Sequence, residues 1–157
     1  MSNWEYVEKA KAVMNKLIDI ENRVSIEKGL DLSRQHFEME FLAASFYVAG
    51  ADNNISAIEV ELVNYMFDQN LSPQTLGPFV SGLSQQYNAL MVDLKLPGWG
   101  ICKSIDDMHG NSDATGLYIS TMEIILPLFG AADGNLDARE ERFIKDFVNR
   151  LERDRYR

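Results

Sequence analysis

The sequence predicts an all-α fold: a compact single-domain helical bundle of about seven helices with two pseudo-symmetric halves. Three observations carry that expectation. Apolar residues recur at steps of three and four along most of the chain, and no segment alternates with a period of two for long enough to form a strand. Two acidic turns, each leading into a helix, also align without a gap: Ala51-Asp52-Asn53-Asn54-Ile55-Ser56-Ala57-Ile58-Glu59 falls on Ala132-Asp133-Gly134-Asn135-Leu136-Asp137-Ala138-Arg139-Glu140, an offset of 133 − 52 = 81. Gly29 and Gly110 share that offset. Two copies are too few for a solenoid, so one domain over 1–157, with halves of about 1–71 and 72–157, is the expected organisation. The 157 residues, 46% of them hydrophobic, suffice for one buried core.

The first helix begins at Ser2-Asn3-Trp4-Glu5, where a serine cap and a glutamate three residues on satisfy free backbone donors. Val7, Ala10, Met14, Leu17, Ile18 and Val24 form its inner face, and Gly29 ends it. In the second, Phe37, Phe41, Ala44 and Val48 lie beside Met39, Leu42, Phe46 and Ala49, so most of its girth is buried. A third carries Leu62, Val63, Met66 and Phe67. Ser72-Pro73 starts a fourth, with proline at the first helical position, and it runs to about Leu94. Lys95 to Gly116 is the least regular stretch, with a short helix expected over Ile101 to Met108.

From Thr115 the second buried helix carries Tyr118, Ile119, Met122, Ile124, Ile125, Leu126, Leu128 and Phe129, with a kink expected at Pro127 because the Glu123 carbonyl loses its donor. The last helix turns Phe143, Ile144, Phe147, Val148 and Leu151 inward and ends among arginines, a favourable charge for a helix C-terminus.

Fifteen Lys and Arg against 24 Asp and Glu give a net charge of −9. Nucleic acid and anionic lipid select for basic surface and are therefore disfavoured as partners; cations and basic proteins fit better. No apolar run approaches the ~20 residues that cross a bilayer, and the polar, acidic start lacks the features of a secretory signal, so no membrane insertion and a cytoplasmic location are expected. Cys102 is alone, which excludes an internal disulfide and reads as a structural thiol.

The acidic turns are the candidate site. Ser56-Ala57-Ile58-Glu59 is a capping box flanked by Ile55 and Val60 in staple positions, and Asp137-Ala138-Arg139-Glu140 is its aspartate version. Capping leaves Asp133 and Asn135 unexplained. With Asp137 they stand at alternate positions, the spacing that wraps side-chain oxygens around one centre, and Glu140 follows from the next helical turn. An all-oxygen set of this kind suits calcium or magnesium. It is not an EF-hand, since glycine is second in the loop and Ile144 stands twelfth, where a bidentate glutamate belongs. The first copy, with Asp52, Asn54 and Glu59, is the poorer site because Ser56 replaces Asp137.

An Asp-Gly turn after a buried helix, followed by an apolar residue and a glutamate in the next helix, resembles the tellurite-resistance TerB-like family. The matching residues are Ala131-Ala132-Asp133-Gly134-Asn135-Leu136-Asp137 with Glu140, and Ala49-Gly50-Ala51-Asp52-Asn53-Asn54-Ile55-Ser56 with Glu59. The resemblance implies an all-helical fold with pseudo-two-fold halves, acidic clusters that take divalent cations, and a non-enzymatic role in tellurite resistance and the stress response. Asn53 departs from the Asp-Gly pattern in the first copy.

Two further readings differ in class. A helical protein-interaction module would dock a basic partner on its acidic surface while its acidic turns serve structure alone. A metal-dependent hydrolase would use Asp106, Asp107 and His109, provided they converge on a cleft with the turns; His36 is the other histidine. No phosphate-binding Gly-Lys loop, His-Glu-x-x-His or Gly-x-Ser-x-Gly supports catalysis. Trp99, between two glycines, is expected either partly exposed as a partner anchor or packed under its own loop.

Overall fold

The computed structural model describes residues 3–28, 35–49, 57–108, 113–130 and 138–156. Among them the chain forms seven helices and no strand: α1 (Asn3–Lys28), α2 (Gln35–Ala49), α3 (Ala57–Met66), α4 (Pro73–Val92), α5 (Pro97–Met108), α6 (Ala114–Gly130) and α7 (Ala138–Asp154). The all-α expectation therefore stands.

Helix α6 is the hub, packing on α1, α2, α5 and α7. Its sequence explains why. Tyr118, Ile119, Met122, Ile125, Leu126 and Phe129 are buried, and Leu117, Ile124 and Leu128 pack against the same core from its margins, so little of the helix is left for solvent. The inner face of α1 is the one its periodicity predicts, with Val7, Ala10, Met14, Leu17 and Ile18 buried. In α2 both expected stripes are used: Phe37, Phe41, Leu42, Ala44, Phe46 and Val48 are buried.

Helix boundaries repeat with the acidic turns. Ala49 and Gly130 end α2 and α6, and Ala57 and Ala138 begin α3 and α7, each pair separated by the offset of 81. The equivalent residues Phe37 and Tyr118 touch edge to face, with ring centroids 6.5 Å apart.

Local chemistry sets the ends of α3 and α4. Asn64 clasps the following loop, donating from Nδ2 to the Leu71 carbonyl at 3.0 Å and accepting from the Leu71 amide at 2.9 Å. Ser72 caps α4 in a threonine version of the capping box: its hydroxyl accepts from the Thr75 amide at 3.3 Å, and the Thr75 hydroxyl accepts from the Ser72 amide at 2.8 Å. At the other end Leu94 is left-handed, with φ of 52°. The Leu94 amide reaches the Met91 carbonyl at 3.2 Å and the Lys95 amide the Leu90 carbonyl at 2.8 Å, the paired bonds of a Schellman stop. Arg150 from α7 adds a third bond, to the Val92 carbonyl at 2.5 Å.

One sequence expectation is corrected. Helix α5 begins at Pro97, four residues ahead of the expected Ile101, because an acceptor from elsewhere in the fold caps it. Of the two expectations for Trp99 the packed one holds, since it is 1% exposed and belongs to the core. Helix α4 ends at Val92, close to the expected end at about Leu94, and Leu94 itself makes the stop.

Candidate functional site

Both acidic turns lie between consecutive helices: 50–56 joins α2 to α3, and 131–137 joins α6 to α7. Asp52, Asn54, Asp133, Asn135 and Asp137 fall outside the described residues. Glu59 lies in the first helical turn of α3, its side chain likewise outside them. Glu140 is in the first turn of α7, half-buried, with Glu141 beside it. Acidic residues there are favoured by the helix dipole whether or not an ion is bound. Among the described residues no three His, Cys, Asp or Glu side chains gather as a metal site.

Asp106 has a different occupation from the one its sequence context suggests. Its Oδ1 accepts from the Ala114 amide at 2.6 Å and its Oδ2 from the Thr115 amide at 3.1 Å and from the Thr115 hydroxyl. Both oxygens are thus engaged by the start of α6, and Asp106 caps the hub helix from the helix before it. Asp107 is exposed, and His109 and the His36 side chain lie outside the described residues. Asp106→Ala strips two backbone amides and a hydroxyl of their acceptor, and losing a cap costs about 1–2 kcal/mol. Urea denaturation should show a loss of that size, with Asp106→Asn recovering part of it; wild-type stability in the alanine variant would contradict the assignment.

The most unusual chemistry in the described fold centres on Glu40, which no motif reading singles out. Glu40 lies on α2 with 0% exposure. Its Oε2 accepts from the Gly98 amide at 2.5 Å and its Oε1 from the Tyr118 hydroxyl at 2.8 Å, with a further bond from the Trp99 amide. Gly98 and Trp99 follow Pro97 in the first turn of α5, so a carboxyl group 58 residues away in sequence caps that helix. Pro97 needs no acceptor. This cap is why α5 starts where it does.

The surroundings of Glu40 are apolar and aromatic. The Tyr118 ring lies 5.0 Å from that of Phe41 and 5.2 Å from that of Trp99, centroid to centroid. The Trp99 indole donates to Asp154 on α7 at 2.7 Å, and Lys103 pairs with the same carboxylate at 3.0 Å. Among the described residues no basic side chain acts on Glu40 itself. Burial therefore dominates and pushes its carboxyl up to about 7, against the partial relief given by Gly98, Tyr118 and Trp99. Burial and then the charge of Glu40 also raise Tyr118 well above the ordinary phenol range, and Tyr87 on α4 moves the same way for the same reasons.

A clue to this node was present in the sequence. Glu38 and Glu40 sit inside a helix whose two apolar stripes leave almost no outer face, and both are buried. A carboxylate in such a helix needs partners inside the protein. Cys102 is buried, as a structural thiol should be.

A groove opens where α2, α4 and α7 meet, about 260 Å³ in volume and lined chiefly by Tyr47, Met91, Val92, Phe143, Phe147 and Arg150. Val92 is 57% exposed and Tyr47 39%. No helix among the described residues is long and apolar enough to cross a membrane.

No protein-family model matches the chain, and neither the curated proteins nor the solved structures yield a match.

Proposed function

We propose that this chain is a non-enzymatic TerB-like helical module that holds a divalent cation, calcium or magnesium, at its acidic inter-helix turns and serves a protein assembly in the stress response, with tellurite resistance as the associated phenotype. The supporting observation is the repeated placement of the turns. Each begins after a buried helix and ends at the N-terminus of the next, at the same offset in both halves. A helix N-terminus tolerates the clustered carboxylates that a hard cation requires. Asp133, Asn135, Asp137 and Glu140 form the stronger site, and Asp52, Asn54 and Glu59 the weaker. Calorimetric titration of metal-free protein with calcium should show saturable binding that Asp133→Asn weakens at least tenfold. An absence of heat with calcium, magnesium and manganese would sink the proposal.

The groove favours a second reading, a protein-interaction module whose acidic turns serve structure alone. Exposed Val92 and Tyr47 beside Phe143 are the kind of apolar surface a partner covers. Under this reading chelator leaves the melting temperature unchanged, and partner binding is lost in Val92→Glu.

A further inference from the structure

The groove between α2, α4 and α7 runs into a second feature, a polar cleft of about 400 Å³ lined by Asp93, Leu94, Arg150, Arg153 and Asp154. Arg150 lines both and joins them. On the apolar side Tyr47, Phe143 and Phe147 form a row of rings, with successive centroids 4.7 Å and 5.8 Å apart. Exposed Val92 completes that side from the end of α4.

The arginines define what the occupant carries. Arg150 donates to the Val92 carbonyl at 2.5 Å, and Arg153 Nε to the Asn149 carbonyl at 3.4 Å. Among the described residues neither pairs with a carboxylate, whereas Lys103 and Arg155 do. Of the acidic groups nearby, Asp154 is held by the Trp99 indole and Lys103, Asp93 is the C-cap of α4, and Asp146 lines the groove. A guanidinium has several donors, so both arginines keep most of theirs for an incoming group, and the Val92 carbonyl already holds Arg150 in place. Local charge agrees. From Arg142 to Arg157 six Lys and Arg stand against three Asp and Glu, a balance of +3 in a chain of −9, so the remaining residues carry −12. The net acidic charge that suits a basic partner lies elsewhere in the chain, and the end of α7 attracts the opposite sign.

We propose that groove and cleft together dock an acidic peptide segment of a partner protein. An apolar side chain seats against the ring row and Val92, and a neighbouring aspartate or glutamate pairs with Arg150 and Arg153. This rests on the reading of the groove as a partner surface and is independent of the cation site. A small molecule fits less well, because Val92 and Tyr47 are exposed, whereas a ligand pocket encloses most of what it binds. Aromatic rings with arginine beside them are the residue types that anchor a protein chain.

A displayed library of random short peptides, selected on the intact chain, should enrich sequences that combine an aromatic or large aliphatic residue with Asp or Glu. Binding of a selected peptide should weaken as salt rises. Val92→Ser removes apolar contact without adding charge, and Arg153→Glu reverses a charge on an exposed side chain; each should weaken that peptide roughly tenfold with the melting temperature unchanged. Replacing the peptide's acidic residue with lysine should weaken binding to the wild type and restore part of it in Arg153→Glu. Selection of basic peptides, or of acidic ones that bind Arg153→Glu and Arg150→Gln as tightly as the wild type, would overturn the proposal. The groove would remain a partner surface in that case if Val92→Ser still weakened them. Failure to select any peptide that responds to Val92→Ser would overturn both.

Discussion

Replacing Glu40 with alanine should destabilise the fold by about 3–5 kcal/mol, the range seen when one partner of a buried charged or hydrogen-bonded pair is removed. Its carboxyl group is the acceptor for the Gly98 and Trp99 amides and the Tyr118 hydroxyl, and 0% exposure leaves water no route to replace it. Alanine therefore strands three donors and opens a cavity among Phe41, Trp99 and Tyr118. Glutamine is the control, since it keeps the volume and an acceptor. Chemical denaturation of the two variants separates the roles: a large loss for alanine with near-wild-type stability for glutamine at mildly acidic pH. Equal losses would mean that volume or ionisation, not acceptance from α5, sets the contribution.

A pair of glycine substitutions in the first turns of α5 should move stability in opposite directions. Exchanging glycine for alanine inside a helix ordinarily gains up to about 1 kcal/mol. At Gly100 a methyl group would meet nothing within 4 Å, so Gly100→Ala should stabilise by roughly that amount. At Gly98 the added carbon would lie 2.7 Å and 2.9 Å from the two carboxyl oxygens of Glu40. A flexible side chain on the surface would move aside, but Glu40 is enclosed and bonded to Tyr118. Crowding of this kind costs about 1–3 kcal/mol, which outweighs the gain in helicity. Thermal or urea unfolding of the two variants should thus give shifts of opposite sign. A stabilising Gly98→Ala would show that the carboxyl does not approach that backbone closely.

Much of the fold is legible in the sequence because helix periodicity is a local signal. The faces of α1, α2, α6 and α7 are those that steps of three and four predict, and the Ser72-Pro73 start of α4 follows from capping alone. The misplaced start of α5 has a different origin. Pro97-Gly98-Trp99-Gly100 reads as a loop when only neighbours are considered, and the acceptor that makes it helical comes from α2. For the same reason local sequence leaves Trp99 open between burial and exposure, since the partner for its indole, Asp154, lies 55 residues further on. Asp106 shows the converse: it looked like loop chemistry because the helix it caps begins eight residues later.

The candidate site divides along similar lines. Its position between helices is legible, since turn residues and caps announce themselves in sequence. Whether Asp133, Asn135 and Asp137 converge depends on backbone torsions that residue types alone do not fix. Glu40 escaped notice because its signal is an absence, a charged residue in a helix with no solvent face to occupy.

The central functional claim is that the second acidic turn is a cation site, and a residue-resolved titration tests it most directly. Amide resonances of isotopically labelled, metal-free protein should shift on adding calcium at residues 131–140 first. Residues 51–59 should follow at higher concentration, and Asp133→Asn should suppress the first set. Resonances of both turns that stay unmoved as calcium is added, while the fold remains intact, would contradict the account.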